Sequence, residues 1–443
     1  MDSWKFIISC LGLQYVFIQG AEESFKPHPK VTIFSQLFRD RCLCRECRRP
    51  LGAIHDWRSR TVQGPAMGIF IEVHIVIKFP RAFCNSCNKV QPAYISWIHP
   101  KCESMTCGFA EVAGRLMEET TCAAAGRVLH TEPRSLWNLD QYRMQLMLQR
   151  MKLPADVDVS HLSADEVHFK TTWYEERVGW NAKRWEPHFA TNLVSHKGSK
   201  VLFSAIGRGS KSLGDCLSIL PEELLKQVEY FALDMHDPFI KTATKLCPNA
   251  KICVDRFHIT QQLNTCFDTV RKAEFKKAKE REDIFTEGML SPSRRFVLVE
   301  KEKHLTKSEI KMLDRLRTLN INIHTAMLLV EQLHVALDKR TLKDFRDSLL
   351  VWYRVVRESK LSPFRQFSKT IRKYRKLIEA YITSRLTTAA SEGINNKIKT
   401  LKRMAYGYQN EGSFRNKILQ RCGYLNSRYI NTTDFFWFSP TPI

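Results

Sequence analysis

The sequence predicts an α/β core, split by a long all-helical stretch and preceded by a small cysteine-rich β module and a helical hairpin. Three observations carry that expectation. Residues 158–262 alternate buried-strand and amphipathic-helix patterns. Residues 263–380 are charged, with Leu, Ile and Phe at helical spacing. Two Cys-x-x-Cys pairs, Cys44/Cys47 and Cys84/Cys87, flank a strand-like run near the start. A chain of 443 residues has room for several such domains.

Residues 1–41 read as a short, buried helix followed by one or two strands. The apolar run Phe6 to Ile18 is broken by Gln14 and has a single cation, Lys5, so it makes a poor secretory signal. No stretch reaches the roughly 18 apolar residues of a membrane span, and the chain is expected to be soluble and intracellular. Seven of the 14 cysteines fall between Cys42 and Cys107, and the others are scattered singly, as reduced thiols are. Cys44, Cys47, Cys84 and Cys87, two knuckles on a small sheet, make a four-thiolate set suited to structural Zn²⁺. Cys42 and the later Cys102 and Cys107 are competing ligands, and plain reduced thiols in loops are the alternative.

Residues 106–152 turn helical. GFAEVAGRLMEET and LWNLDQYRMQLMLQRM read as two helices around a break at AAAGRVLHTEPRS, which fits a helix-turn-helix or an ordinary helical hairpin. SADEVHFK then reads as a strand, and HFATNLVSHKGSKVLFSAIGR as a hairpin turning at HKGSK. SLGDCLSILPEELLKQ reads as one helix, VEYFALDM as a buried strand, DPFIKTATKLC as a helix and KICVDRFHI as a strand. Three hairpin-linked strands followed by two crossover units give the layout of a ribonuclease H-like core.

In SEGINNKIKTLKRMAYGY, residues 391–408, Ile394, Ile398, Leu401 and Ala405 share one helical face, while Glu392, Asn396, Lys399 and Arg403 share a polar one. With Lys plus Arg at 69 against 46 acids, the net charge is +23. From Leu361 to Arg421 there are 14 basic residues against three acidic ones. The charge points to a polyanion as partner, because each neutralised phosphate releases counterions.

Three acids stand out: Asp165 within the first core strand, Asp234 at the end of the apolar strand, and Glu392 opening the basic helix. The core layout brings the first two strands together with the closing helix beside them. Clustered carboxylates repel one another and call for divalent cations, and a metal pair suits in-line phosphodiester chemistry. Mg²⁺, or Mn²⁺, fits such a donor set. Each acid also has a structural alternative. Asp165 can be a solvated strand acid with Glu166 as the ligand, Asp234 or Asp237 a helix cap, and Glu392 a dipole acid.

LSADEVHF, FALDMHDPFIKTATKLCPNAKICVDRFHITQQLN and SEGINNKIKTLKRMAYGYQNEGSFRNKIL closely resemble the DDE transposases of the ISL3 class of bacterial insertion sequences, over roughly Cys44 to Leu419. The resemblance implies a ribonuclease H-like fold with a helical insertion, and catalytic, Mg²⁺-binding acids at Asp165, Asp234 and Glu392. It also matches the cysteine pairs and helical hairpin to a zinc-binding and a helix-turn-helix region. The expected organisation is a zinc-binding module at 1–100, a helix-turn-helix at 101–155, the first part of the core at 156–265, the helical insertion at 266–385, the closing catalytic helix at 386–425 and a tail at 426–443.

Further expectations concern the surroundings. Asn395, Asn396, Lys397, Lys399 and Arg403 are expected on the DNA backbone. Asp255, Arg256 and His258 are expected in support of the acids, with Phe257 in the core and His168, Lys170 and His236 nearby. Trp173, Trp180 and Trp185, interleaved with Arg177, Lys183 and Arg184, suit stacking on a splayed base or a packed aromatic subdomain. The implied partners are terminal inverted repeats, target DNA and at least a second copy of the chain, in a bacterial cytoplasm around the nucleoid. A DNA-binding regulator without catalysis, or a nuclease for branched DNA on the same core, are the alternatives.

Overall fold

The computed structural model describes residues 3–176, 182–294, 298, 305–386 and 389–432. The chain forms two compact units, Met1–Ala155 with Thr400–Ile443, and Asp156–Lys399.

The first unit is built on a five-stranded sheet: β1 (Val16–Ser24), β2 (Lys30–Leu37), β3 (Ile54–Gly64), β4 (Glu72–Cys84) and β5 (Lys89–Pro92). Its order is β1-β2-β4-β3, with β5 on the end of β4. Strands β2 and β4 run parallel and the other pairs antiparallel. Val31 and Ile33 on β2, and Val73, Ile75 and Ile77 on β4, are buried at every second position, as the pleat requires. The helix Ser3–Cys10 departs from the expected buried start. Trp4 and Phe6 are exposed, and only Ile7 and Ile8 pack, partly, on the sheet's core.

Three helices follow: Cys107–Glu119, Cys122–Leu129 and Pro133–Arg150. The middle one lies where the sequence was read as a break. Thr121 caps it by accepting from the Ala124 amide at 3.2 Å. Gly126 is needed for close approach, since a Cβ there would stand 2.7 Å from the Thr131 carbonyl oxygen. His130 ends the helix in the left-handed region, φ 49° and ψ 45°. Phe109, Ala113, Met117, Leu136 and Leu139 form the helices' core. The helix Glu411–Cys422 belongs to the same unit, and its buried Lys417 ammonium donates to Asp140 at 2.7 Å, the Met117 carbonyl at 2.9 Å and Gln420 at 2.6 Å.

The second unit holds a mixed sheet of β6 (His161–Glu176), β7 (Ala182–Ser195), β8 (Lys200–Ile206), β9 (Tyr230–Leu233) and β10 (Lys251–Val254), in the order β10-β9-β6-β7-β8. Strands β6, β7 and β8 form an antiparallel meander, and β9 and β10 run parallel to β6. This arrangement fits the ribonuclease H-like core. The crossover read as one helix is two, Ser210–Leu217 and Glu222–Leu225. Pro221 stands between them, lacking an amide hydrogen and pushing Leu220 off helical geometry. Asp237–Leu246 makes the next crossover.

Beyond β10 the chain turns directly into the 25-residue helix Arg256–Glu280 and then a helical stack. The stack packs around Phe267, Leu329, Phe345, Trp352 and Phe364, all buried, with the Trp352 indole N–H donating to the Leu329 carbonyl at 2.9 Å. The closing helix is Ala389–Met404, with Ile394, Ile398 and Leu401 buried as its period predicts. Among the described residues, no helix is long and apolar enough to cross a membrane.

Candidate active site

Strand register places the first two acids side by side. Ser163 on β6 pairs with Ala232 on β9 in parallel, so two residues further on Asp165 stands abreast of Asp234, about 5 Å apart at the backbone. Likewise Leu233 pairs with Val254 on β10, which brings Asp255 beside Asp234. Three aspartates therefore sit at one level of three adjacent parallel strands, where open α/β sheets hold ligands.

The closing helix is fastened to β6 at two points. The Ser391 and Ser163 hydroxyls are hydrogen-bonded, and the Asn395 side-chain amide donates to Asp165 Oδ2 at 2.5 Å. Residues 163 and 165 share a strand face, and 391 and 395 share a helix face. Glu392, one position after the Ser391 anchor, is exposed at the same opening. Asp165, Asp234, Asp255, Glu392, His258 and Lys399 line a cavity of about 320 Å³. The three predicted acids share that cavity, though they are not among the sets whose donor atoms all come within 4.8 Å of one another.

Backbone amides hold the aspartates. The Glu166 amide donates to Asp165 Oδ1 at 2.7 Å, and the Met235 amide to Asp234 Oδ1 at 2.5 Å. The His258 ring stands between the carboxylates, with Nδ1 3.7 Å from Asp234 Oδ1 and Nε2 3.9 Å from Asp165 Oδ1 and 3.7 Å from Asp255 Oδ2. Glu166, the rival ligand, is ion-paired to Arg208. Burial raises its carboxyl above the usual range, against the pull of Arg208.

Several predicted residues are placed differently. Asp255 caps the helix Arg256–Glu280 by accepting from the Phe257 amide at 2.8 Å. Phe257, expected in the core, is 48% exposed, because that cap starts the helix at the cavity rim. Arg256 turns away to Asp338 at 2.5 Å. Asp237, read as a cap, instead accepts from Lys373 at 2.5 Å and from the Tyr374 hydroxyl at 2.6 Å. His168 bonds Thr171 on the exposed side of β6. Lys170 and His236 do not line the cavity. Of the expected DNA contacts, Asn396 and Lys399 line the cavity, and Lys397 and Arg403 are exposed outside it. Asn395 also lines the cavity, but it is largely buried and its side-chain amide is bound to Asp165. Arg177 and Trp180, the side chains of Trp173, Lys183, Arg184 and Trp185, and the aromatic tail lie outside the described residues. Ser163, Ser391, Arg208 and Gln261 also line the cavity and carry no signal of it in the sequence.

In the first unit, Cys44, Cys47, Cys84 and Cys87 bring their four sulfurs within 4.8 Å of one another. Sγ–Sγ distances are 3.8 Å for Cys44–Cys87 and 3.5 Å for Cys47–Cys84. The Cys87 amide lowers the Cys84 thiol to about 7. The rival thiols drop out: Cys42 donates to the Phe38 carbonyl at 3.2 Å, and Cys107 to the Ser96 carbonyl at 3.8 Å. Burial pushes Cys42 up to about 11 and Cys107 to about 12, and raises Cys102 as well.

The DDE_Tnp_ISL3 family model, described as transposase, matches residues 180–418, more than half of the chain. The chain belongs to the ISL3-type DDE transposases. This transposase is 22% identical over 416 residues to the transposase for insertion sequence element IS1001 of Bordetella parapertussis, covering 94% of this chain and 97% of that one. It is also 22% identical over 253 residues to the transposase for insertion sequence element IS1557 of Mycobacterium tuberculosis, covering 53% and 57%. Among solved structures, the Drosophila P element transposase strand transfer complex aligns at a TM-score of 0.35 and 9% identity, over 71% of this chain and 92% of that one. That score is below what establishes a shared fold. Transposases cleave and transfer DNA strands, so the chain is an enzyme of that class. Asp234 and Glu392 fall inside the matched segment, and Asp165 precedes it.

Proposed function

We propose that this transposase cuts DNA at the ends of its own element and joins the freed ends to target DNA, with Asp165, Asp234 and Glu392 as the catalytic acids. The observation that carries this reading is the strand register that sets Asp165 beside Asp234 in a cavity also lined by Glu392. Three carboxylates are hard oxygen donors, and they suit Mg²⁺ or Mn²⁺. A bound metal pair supplies activation of the attacking oxygen and stabilisation of the leaving one.

The chain's own residues do the rest. Asn395 and the Glu166 amide fix the Asp165 carboxylate, so that its position is set before DNA arrives. His258 stands within 3.9 Å of all three aspartates. Lys399 and Asn396, at the same opening, suit contact with the phosphate backbone. Both reaction steps are displacements at phosphorus. Water attacks the end phosphodiester and a 3′-hydroxyl leaves. That hydroxyl then attacks a target phosphodiester, expelling another 3′-hydroxyl.

The four thiols suit structural Zn²⁺, which would stiffen the first unit. The helices Cys122–Leu129 and Pro133–Arg150, joined by a short turn, suit a helix-turn-helix reading of the terminal repeats. Arg48, Arg58, Arg60 and Arg81 line a groove of about 400 Å³ in the same unit, where Arg60 is ion-paired to Glu103 and Arg58 and Arg81 to Asp56. Pairing two ends calls for at least a dimer on DNA.

The test supplies purified protein with pre-cut ends bearing a 3′-hydroxyl, a supercoiled target and Mg²⁺. Joined products that need both the end sequence and the 3′-hydroxyl support the reading. End binding without any joining would point to a regulator, and cutting of branched DNA without joining to a nuclease.

A further inference from the structure

Away from the thiols and the acids, His28, Glu72 and His130 bring one donor atom each within 4.8 Å of the others. We propose that these three residues form a second transition-metal site, of the Zn²⁺ class, that clips the β-sheet to the turn between the helices Cys122–Leu129 and Pro133–Arg150. Two imidazoles and one carboxylate are a donor set for Zn²⁺ and its neighbours in the first transition row. The set is distinct from the four thiolates in both chemistry and place.

The surroundings prepare the three side chains. Glu72 opens β4 opposite Lys30 at the start of β2. Its Oε1 is held by Lys30 Nζ at 3.2 Å and His74 Nε2 at 2.8 Å, while Oε2 faces His28 Nε2 at 2.5 Å. One carboxylate oxygen is thus fixed and the other turned toward the histidines. The His28 and His130 rings stack with centroids 4.0 Å apart and planes 23° from parallel.

The turn carrying His130 is itself pinned to the sheet. Gln63 of β3, paired with His74, donates to the Leu129 carbonyl at 2.7 Å and accepts from the Thr131 hydroxyl at 2.8 Å. Both residues flank His130. Supporting bonds of this kind fix ligand orientation at metal sites. A cation entering the site takes the place of the direct contact between His28 Nε2 and Glu72 Oε2. The consequence is mechanical: the clip sets the angle at which the helix Pro133–Arg150 leaves the sheet.

The test uses the full chain carrying Asp165→Asn and Asp234→Asn, so that the acidic cavity does not compete. Metal is stripped and Co²⁺ added back under reducing conditions while absorption is followed; zinc content is measured in parallel. The expected result is one equivalent with thiolate charge-transfer bands and a second without them. The second is lost in His28→Gln and in His130→Asn, and the thiolate signal is kept in both. Asparagine tolerates the left-handed backbone at residue 130, and the retained thiolate signal reports that the unit is folded. A parent protein that takes up the thiolate-bound equivalent alone would overturn the proposal. So would a second equivalent that persists in both histidine variants.

Discussion

Asn395 donates its side-chain amide to Asp165 Oδ2 at 2.5 Å, across 230 positions of sequence. One turn earlier on the same helix face Ser391 meets Ser163, so the helix carrying Glu392 is registered on the strand carrying Asp165. Asn395→Ala should therefore lower end cleavage by about 10–100-fold, the usual cost of losing a partner behind a metal ligand. It should also raise the Mg²⁺ concentration needed for half-maximal rate. Cleavage at several Mg²⁺ concentrations reads both effects.

The Arg208–Glu166 pair separates two neighbouring carboxylates by role. With Arg208 holding Glu166, Glu166→Gln should keep measurable cleavage where Asp165→Asn abolishes it. Burial raises the Glu166 carboxyl above its ordinary value of 4.5. A raised acid contributes stability fully present below its unfolded value and lost as pH rises through the folded one. Glu166→Gln should thus be relatively more stable than the parent near neutrality, with the difference closing in acid. Melting curves from pH 4 to 8 give the sign.

Replacing Cys47 and Cys84 with serine should abolish zinc retention by the thiol set and cooperative melting of the first unit. Structural zinc contributes on the order of 10 kcal/mol or more of apparent binding energy in small modules. Zinc content and calorimetry of the full chain check this, and strand joining of pre-cut ends should fall through weakened end binding.

Lys417 is buried with its ammonium on Asp140. Lys417→Met leaves that carboxylate unpaired and should cost about 3–5 kcal/mol, whereas Lys417→Met with Asp140→Leu should recover most of the loss. Denaturant unfolding of the single and double variants measures the difference.

Much of this was legible from residue patterns. Asp165 and Asp234 lie on or just past apolar strands, and Ile394, Ile398 and Leu401 announce the buried face of the closing helix. Parallel pairing then follows from the crossovers. Other features depend on which way a side chain turns. Asn395 sits between buried Ile394 and exposed Asn396, and only the packed helix shows that it faces Asp165. The helix Cys122–Leu129 falls within the stretch read as a break, and its Gly126 serves the close approach of Thr131. The Ser3–Cys10 helix is apolar enough to read as buried, yet it lies on one edge of the core with Phe6 outward. His28, Glu72 and His130 are single residues on separate elements with no spacing signal, so their meeting is a product of the fold.

The central claim is that Asp165, Asp234 and Glu392 act together. The most direct measurement is nicking of linear DNA carrying the element's ends, in Mg²⁺, by the parent protein and by Asp165→Asn, Asp234→Asn and Glu392→Gln. The account predicts nicks at the element boundary from the parent alone, with all three variants still binding the ends. Boundary nicking by any of the three at the parent's rate would contradict it.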